Sequence, residues 1–352
     1  MKKQWKNKSS IGRIVCILYL SLLFLNGAAG IRAQETREFI PSGSPIIVLF
    51  ADYTAGASNN NEVAGFNLTR SRLGYRYQAT PSLSAVSVLD VNVADDGQRG
   101  VHFHYAFFEW TWRNLRVNGG LIALSQFAVQ EAFWGRRYIE KSFQDLNGFC
   151  FDSDLGVMLK YRFVDWLEVD VTLINGEGTR QLNLSKTNRY GLGATFRPLK
   201  GLSLRAYLDV YERLQSGYLA AAPGAPSFTR KNQSSASLFA GYRNASFSLG
   251  AEYNRQQAKD FIGGNNYSGI SIYGGAALDK KFDIYARFDY IDTQTPSEYD
   301  YDWSAVAGEA LFIAGVEYHP VGNLQISPNY RYMQAFGGEG SHFIGLNIGF
   351  SL

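Results

Sequence analysis

The chain has 352 residues, of which 46% are hydrophobic, 15% are aromatic and 18% are charged, and its mean hydropathy is −0.17. The aromatic content and the modest charge exclude a disordered or fibrous protein, and the mean hydropathy is too polar for a protein with many membrane-spanning helices. The net charge of +3 is misleading, because it depends on the N-terminal segment.

Residues 1–33 have the layout of a secretory signal peptide. A basic stretch that ends at Arg13 precedes an apolar segment from Ile14 to Leu25, and small residues follow it. We expect export through the Sec pathway and cleavage after Ala33. The segment carries six of the 34 Lys and Arg residues and no acidic residue, so the rest of the chain has 28 basic against 31 acidic residues and a net charge of −3. This balance excludes a nucleic-acid partner.

From residue 44 onward, apolar and polar side chains alternate in segments of about ten to thirteen residues, and a period of two indicates a β-strand. In the segment Leu202–Val210, for example, Leu204 and Leu208 share one face while Arg205 and Asp209 share the other. We identify sixteen such segments, beginning near residues 44, 64, 83, 101, 115, 152, 166, 187, 201, 232, 245, 267, 281, 307, 322 and 341. Their length suits a tilted crossing of a bilayer, which takes about nine to eleven residues.

The connections between these segments alternate in length. Links such as Arg113-Asn114, Val164-Asp165 and Pro320-Val321 are short, whereas the intervening links run from about six to about twenty-six residues. Aromatic residues cluster beside the short links, which is typical of rings at the depth of lipid headgroups. We therefore predict an all-β fold for residues 34–352, a single antiparallel up-and-down β-barrel of about sixteen strands in a bacterial outer membrane. The short turns would be periplasmic and the longer loops extracellular.

A barrel of this size encloses a lumen too wide for wall side chains to fill. Both signs of charge occur at the inward-facing positions, with bases slightly ahead. The predicted pore-lining bases are Arg72, Arg76, Arg116, Lys160, Arg162, Arg189, Arg205, Arg243, Arg287 and Arg331.

The longest connection, residues 126–152, contains several aromatic and charged residues and little Ser or Pro. Connections of this length are usually functional or disordered, and this composition argues against disorder. We expect the segment to fold into the barrel and narrow the pore; the alternative is a loop that covers the extracellular mouth. The predicted constriction residues are Glu131, Arg136, Arg137, Glu140 and Lys141.

The stretch from Tyr105 to Gly178 contains Phe108-Glu109-Trp110, Phe133-Trp134-Gly135-Arg136-Arg137-Tyr138 and Asn175-Gly176-Glu177-Gly178. With these motifs the chain resembles the phosphate-selective porins O and P and related Bacteroidetes outer-membrane porins. The resemblance implies a sixteen-stranded, usually homotrimeric pore that prefers anions.

No catalytic or metal site and no cofactor is predicted. His102 and His104 could share a metal ion, but the sequence identifies no third ligand. His319, next to Pro320, is expected to be solvated at a periplasmic turn.

The expected function is passive diffusion of small hydrophilic solutes and ions through a non-enzymatic porin in outer-membrane lipid, with a modest preference for phosphate-like anions. Two alternatives stay open. One is a substrate-specific oligosaccharide channel, in which Tyr207, Tyr211, Tyr273 and Tyr285 would stack on sugar rings. The other is a nonconducting structural or adhesin barrel.

Overall fold

The computed structural model of the chain describes residues 39–58, 61–93, 99–179, 187–212, 231–294, 309–334 and 338–352. The predicted signal peptide, residues 1–33, lies outside the described residues. Within the described ranges, no helix has the length and apolarity needed to cross a membrane.

Sixteen antiparallel strands form one closed barrel, in which each strand pairs with its neighbours in the chain and β1 pairs with β16. The predicted fold is confirmed, and every predicted strand start lies within three residues of the observed one. The strands are β1 Ser42–Ser58, β2 Asn61–Thr80, β3 Leu83–Val93, β4 Arg99–Trp112, β5 Leu115–Ala123, β6 Ser153–Val164, β7 Leu167–Ile174, β8 Arg189–Phe196, β9 Leu202–Tyr211, β10 Gln233–Arg243, β11 Phe247–Gln257, β12 Asn266–Ala277, β13 Phe282–Gln294, β14 Ala310–Val321, β15 Leu324–Gln334 and β16 Gly340–Ser351.

Alternation along the strands separates an apolar outer face from the inner face. On β9, Leu204, Leu208 and Val210 are exposed on the outside, whereas Arg205 and Asp209 are buried. Exposed aromatics also surround the rim where the short connections lie. Pairs of these rings contact each other across neighbouring strands, as in Trp166 with Phe196, Tyr242 with Phe247 and Phe282 with Tyr318.

One long link was predicted wrongly. Strand β1 has 17 residues and β2 has 20, so only two residues separate Ser58 from Asn61 where at least about six were expected. The segment between the two predicted strands continues the pairing, with Ala55 opposite Ala64 and Ala57 opposite Glu62. Its small and polar residues are typical of a loop. They adopt the β conformation because their backbone groups pair with the neighbouring strand.

Strands β5 and β6 are joined by residues 124–152, here called the inner loop. It contains helix α1, Ala128–Trp134, and the short helix α2, Phe143–Leu146. Helix α1 ends at Gly135, which adopts a left-handed conformation (φ 67°) and donates its N–H to the carbonyl of Glu131. A single-turn 3-10 helix, Lys259–Phe261, lies between β11 and β12.

Candidate pore constriction

The inner loop packs against inward-facing apolar residues of strands β10 to β14. The indole of Trp134 is only 1% exposed and lies edge-on to the rings of Tyr273 and Tyr285, at centroid distances of 5.8 and 5.9 Å. Leu311 and Ile313 of β14 complete this buried cluster. One side of the inner wall is therefore apolar and covered by the loop, which burial of apolar area stabilises.

A second apolar cluster lies at the base of the inner loop. Phe127 and Cys150 of the loop pack there with Val88, Phe107 and Met158 of the wall. Burial raises the pKa of the Cys150 thiol to about 12, since the thiolate would lose its hydration.

Five wall arginines donate hydrogen bonds to backbone carbonyls of the inner loop. Carbonyl oxygens in the last turn of a helix lack an intrahelical donor, and Arg243 Nη2 supplies one to Ala132 and Phe133 at 2.7 and 2.8 Å. The other four bonds join Arg205 to Ser125 at 2.8 Å, Arg189 to Phe149 at 3.1 Å, Arg287 to Lys141 at 2.5 Å and Arg331 to Ile139 at 2.5 Å. These five arginines therefore fix the loop to the wall.

Four of the same arginines also pair with a carboxylate. The ion pairs are Arg189 with Asp209 at 2.8 Å, Arg205 with Asp170 at 2.7 Å, Arg287 with Asp289 at 2.5 Å and Arg331 with Glu140 at 3.0 Å. Arg189, Arg205 and Arg287 are at most 4% exposed. Their positive charge is therefore compensated locally.

The remaining predicted lining bases lie on β2, β5 and β6, and most of them also contact acids. The pairs are Arg72 with Asp90 at 2.9 Å and with Asp152 at 3.1 Å, Arg76 and Arg116 with Glu109 at 3.1 and 3.8 Å, and Lys160 with Glu168 at 3.9 Å. Arg162 is exposed and stands opposite Glu168 in the strand register. The basic wall seen in the sequence is thus largely a set of ion pairs.

The structure divides the five predicted constriction residues into three groups. Arg136 points away from the others and contacts Glu317 of β14, with Asp283 Oδ2 3.6 Å from its Nη2. Glu131 accepts a hydrogen bond from Ser142 at 3.1 Å. The other three, Arg137, Glu140 and Lys141, line one common cavity.

Electrostatics distinguish Glu131 from an ordinary surface glutamate. Burial raises the pKa of Glu131, and the Arg137 guanidinium, whose Nε lies 3.4 Å from Glu131 Oε2, opposes this shift without cancelling it. Glu131 therefore takes up a proton at a higher pH than a solvated glutamate does.

The cavity, here called the inner cavity, has a volume of about 150 Å³ and lies between the inner loop and strands β1, β2 and β15. Its lining consists of Phe50, Asp52, Thr69, Arg70, Arg137, Tyr138, Ile139, Glu140, Lys141 and Arg331. Four cationic side chains thus face two acidic ones.

Two of the four cations make only long contacts to carboxylates, as Arg116 and Lys160 do elsewhere on the wall. The Lys141 side chain is 50% exposed, and its ammonium lies 3.9 Å from Asp145. The Arg70 guanidinium lies 3.7 Å from the nearest carboxylate oxygen, which belongs to Asp152. By contrast, Arg137 makes a 2.5 Å hydrogen bond to Asp145, so its charge is largely neutralised.

Sequence reasoning missed Asp52, Thr69 and Arg70. A β-bulge between β1 and β2 places Phe50 opposite Arg70 and Ala51 opposite Leu68, so Thr69 is the extra residue. A bulge changes the inward and outward alternation, and no residue in this segment indicates one. Arg70 could have been identified from its position two residues before Arg72, because residues two apart in a strand lie on the same face.

The two histidines of β4 lie beside an acid that the sequence did not identify. Asp90 of β3 stands opposite His102 in the register, and His104 Nδ1 lies 3.9 Å from Asp90 Oδ2. Arg72 already contacts this carboxylate at 2.9 Å. The cluster is an ion-pair network as much as a set of metal ligands.

No family model matches the sequence, and no curated protein matches it. Solved structures match over almost the whole barrel. OmpF of Salmonella typhi, solved in complex with daunomycin, has a TM-score of 0.64 at 12% identity over 88% of this chain and 97% of its own.

Two further structures agree. The outer-membrane protein OmpT of Vibrio cholerae has a TM-score of 0.61 at 12% identity over 91% of this chain and 100% of its own. A mutant of the Rh. blastica porin has a TM-score of 0.57 at 13% identity over 88% of this chain and 100% of its own. The chain therefore has the fold of bacterial outer-membrane porins.

Proposed function

We propose that this protein is a porin of the bacterial outer membrane, through which small hydrophilic solutes and ions diffuse passively. The observation that carries the proposal is the inner cavity, a small, charged space between the inner loop and the wall of a sixteen-stranded barrel. A barrel this wide leaves room for water beside the loop, and the loop sets the size of solute that passes.

The proposal includes the location and assembly of the protein. The segment 1–33 would direct export through the Sec pathway, the rim with the short connections would face the periplasm, and three copies would form a homotrimer. Outward-facing Leu204, Leu208 and Val210, together with the exposed rim aromatics, support contact with lipid.

A modest preference for anions, phosphate-like ones included, is the selectivity we propose. Support comes from the excess of cations around the inner cavity, and in particular from Lys141 and Arg70, whose nearest acids are 3.9 and 3.7 Å away. Charges at a narrow point bias the local concentration of ions of the opposite sign. The preference would be modest because most of the other lining bases are paired with acids.

The burial of three of the four tyrosines favours a general channel over the oligosaccharide alternative. Tyr207, Tyr273 and Tyr285, which were expected to stack on sugars, are at most 5% exposed, and Tyr273 donates its hydroxyl to the carbonyl of Gln130 at 2.8 Å. Tyr273 and Tyr285 contact Trp134 of the inner loop and Tyr207 is buried in the wall, so these three rings offer no free face to a sugar. Tyr211, the fourth, is half-buried. The proposed role needs no catalysis, so we propose a channel without enzymatic activity.

Reversal potentials in planar bilayers test this proposal. Purified full-length protein should form open channels whose reversal potential in a KCl gradient has the sign of a modest chloride preference. Addition of phosphate should give measurable phosphate current. Correctly folded protein that forms no channels would support a nonconducting barrel instead, and a cation preference would contradict the proposed selectivity.

A further inference from the structure

Below the inner loop, at the rim with the short connections, an imidazole and two carboxylates converge. Asp283 of β13 stands directly opposite Glu317 of β14, and His319 follows Glu317 by two residues, so all three side chains lie on the inner face. Two carboxylates directly opposite each other repel, and a nearby cation relieves this repulsion.

The distances from the imidazole nitrogen to the two carboxylate oxygens fit a shared metal ion better than direct hydrogen bonds. His319 Nε2 lies 3.4 Å from Asp283 Oδ2 and 3.5 Å from Glu317 Oε1. An imidazole that donates to a carboxylate normally lies at about 2.7–2.9 Å. Around a tetrahedral zinc ion with bonds of about 2.0–2.2 Å, however, neighbouring ligand atoms lie roughly 3.3–3.6 Å apart.

The charge of the group leaves room for a cation. Among the described residues, Arg136 is the guanidinium that lies within 4.0 Å of the group. It contacts Glu317 Oε2 and, at 3.6 Å, Asp283 Oδ2, the oxygen that also faces His319. Two carboxylates against one guanidinium leave a net negative charge, and the Glu317 oxygen nearest His319 is not the one that Arg136 contacts.

Access and rigidity also suit a bound ion. Asp283 and His319 have side chains that are 29% and 28% exposed, and a cavity of about 240 Å³ borders Asp283, Glu317 and Arg136. The backbone N–H of His319 donates to the carbonyl of Lys281 at 2.8 Å, which fixes the histidine to the neighbouring connection. Water can therefore reach the site and complete the coordination.

We propose that Asp283, Glu317 and His319 form a binding site for a divalent transition metal such as Zn²⁺, with water in the open coordination position. One imidazole and two carboxylates suit such an ion, whereas Ca²⁺ takes six to eight oxygen ligands. The Asp90, His102 and His104 cluster is the weaker candidate, because two guanidiniums, those of Arg70 and Arg72, lie within 4.0 Å of Asp90 Oδ2. Their positive charge opposes a second cation there.

The test uses full-length protein without a polyhistidine tag, in detergent, titrated with Zn²⁺ by calorimetry and with Co²⁺ by visible absorption. We expect one ion per chain and a Co²⁺ spectrum with d–d bands of low coordination number. His319→Gln and Asp283→Asn should each weaken binding at least tenfold. The double variant H102Q/H104Q is the matched control and should bind as the wild type does.

A further variant, which removes the competing guanidinium of Arg136, should raise the affinity for Zn²⁺ instead of lowering it. Arg136→Gln should bind Zn²⁺ several-fold more tightly, a result that a nonspecific surface histidine would not give. The proposal is overturned if the wild type binds neither ion, if H319Q binds as tightly as the wild type, or if H102Q/H104Q loses the ion. Circular dichroism of each variant verifies the barrel, and H319A replaces H319Q if the latter does not fold.

Discussion

The charge of Lys141 provides a quantitative test of the inner cavity as the selectivity element. An ion that passes a cavity of about 150 Å³ comes within roughly 5 Å of the lining charges. A unit charge at that distance contributes about 0.8 kcal/mol in water, and screening at 0.1 M salt leaves roughly half of it. Lys141→Glu changes the charge by two units, so it should shift the energy of each small ion by about 0.8 kcal/mol.

Cations and anions shift in opposite directions, so their difference changes by about 1.6 kcal/mol, and 1.4 kcal/mol corresponds to a factor of ten. We therefore expect K141E to raise the ratio of K⁺ to Cl⁻ permeability roughly tenfold, and K141Q to produce about half of that change in free energy. Reversal potentials in a KCl gradient across a planar bilayer measure both. The Lys141 backbone carbonyl, which accepts from Arg287, is unaffected by either substitution.

Lys280 supplies the matched control, since it is exposed in the connection between β12 and β13 and does not line the inner cavity. K280E alters the total charge of the protein as much as K141E does. If both variants shift the reversal potential equally, or if neither shifts it, ions do not pass beside Lys141 and the inner cavity is not the selectivity element.

Three other residues test how the inner loop is held and charged. Arg287→Met would leave the buried Asp289 carboxylate uncompensated, which should lower the free energy of unfolding by about 3–5 kcal/mol. Thermal unfolding should therefore occur at a lower temperature, and the single-channel current should become noisier. Wild-type values for both would show that Arg287 does not hold the loop. Because burial raises the pKa of Glu131, the folded state binds this proton more tightly than the unfolded chain, so stability from this group is lost as pH rises through the raised pKa. Below that pH Glu131 is neutral, so anion preference should increase on acidification, and E131Q should show a smaller increase because it lacks this carboxylate. Parallel pH curves for both proteins would contradict the assignment. The thiol of Cys150, with a pKa raised to about 12 by burial, should resist maleimide at pH 8 in folded protein and react in denaturant, and rapid labelling of the folded barrel would contradict the packed loop.

Strand positions could be predicted from the sequence because side-chain alternation depends on local backbone geometry. The segment around Leu204 and Asp209 shows the pattern directly, and each strand begins within three residues of its predicted start. The extension of β1 and β2 could not be predicted, because Ala55 and Ala64 are in strand through pairing with each other. The local alternation of side chains does not show where the pairing of two strands ends.

For the candidate site, the sequence indicated which bases face inward but not what they contact. Arg287 alternates with apolar neighbours as a lining residue should, yet its partners are Asp289 and the carbonyl of Lys141 in another part of the chain. The sequence did contain an indication of the part of the inner wall that the inner loop covers. Leu311 and Ile313 occupy inward positions of β14, and apolar residues on both faces of a strand indicate that something covers the inner one.

Single-channel recording of the full-length wild-type protein in a planar bilayer tests directly whether the barrel conducts ions. We expect discrete open channels at all moderate voltages, with a reversal potential in a KCl gradient that corresponds to a modest chloride preference. Folded barrels that insert into the bilayer and conduct no ions would contradict this expectation.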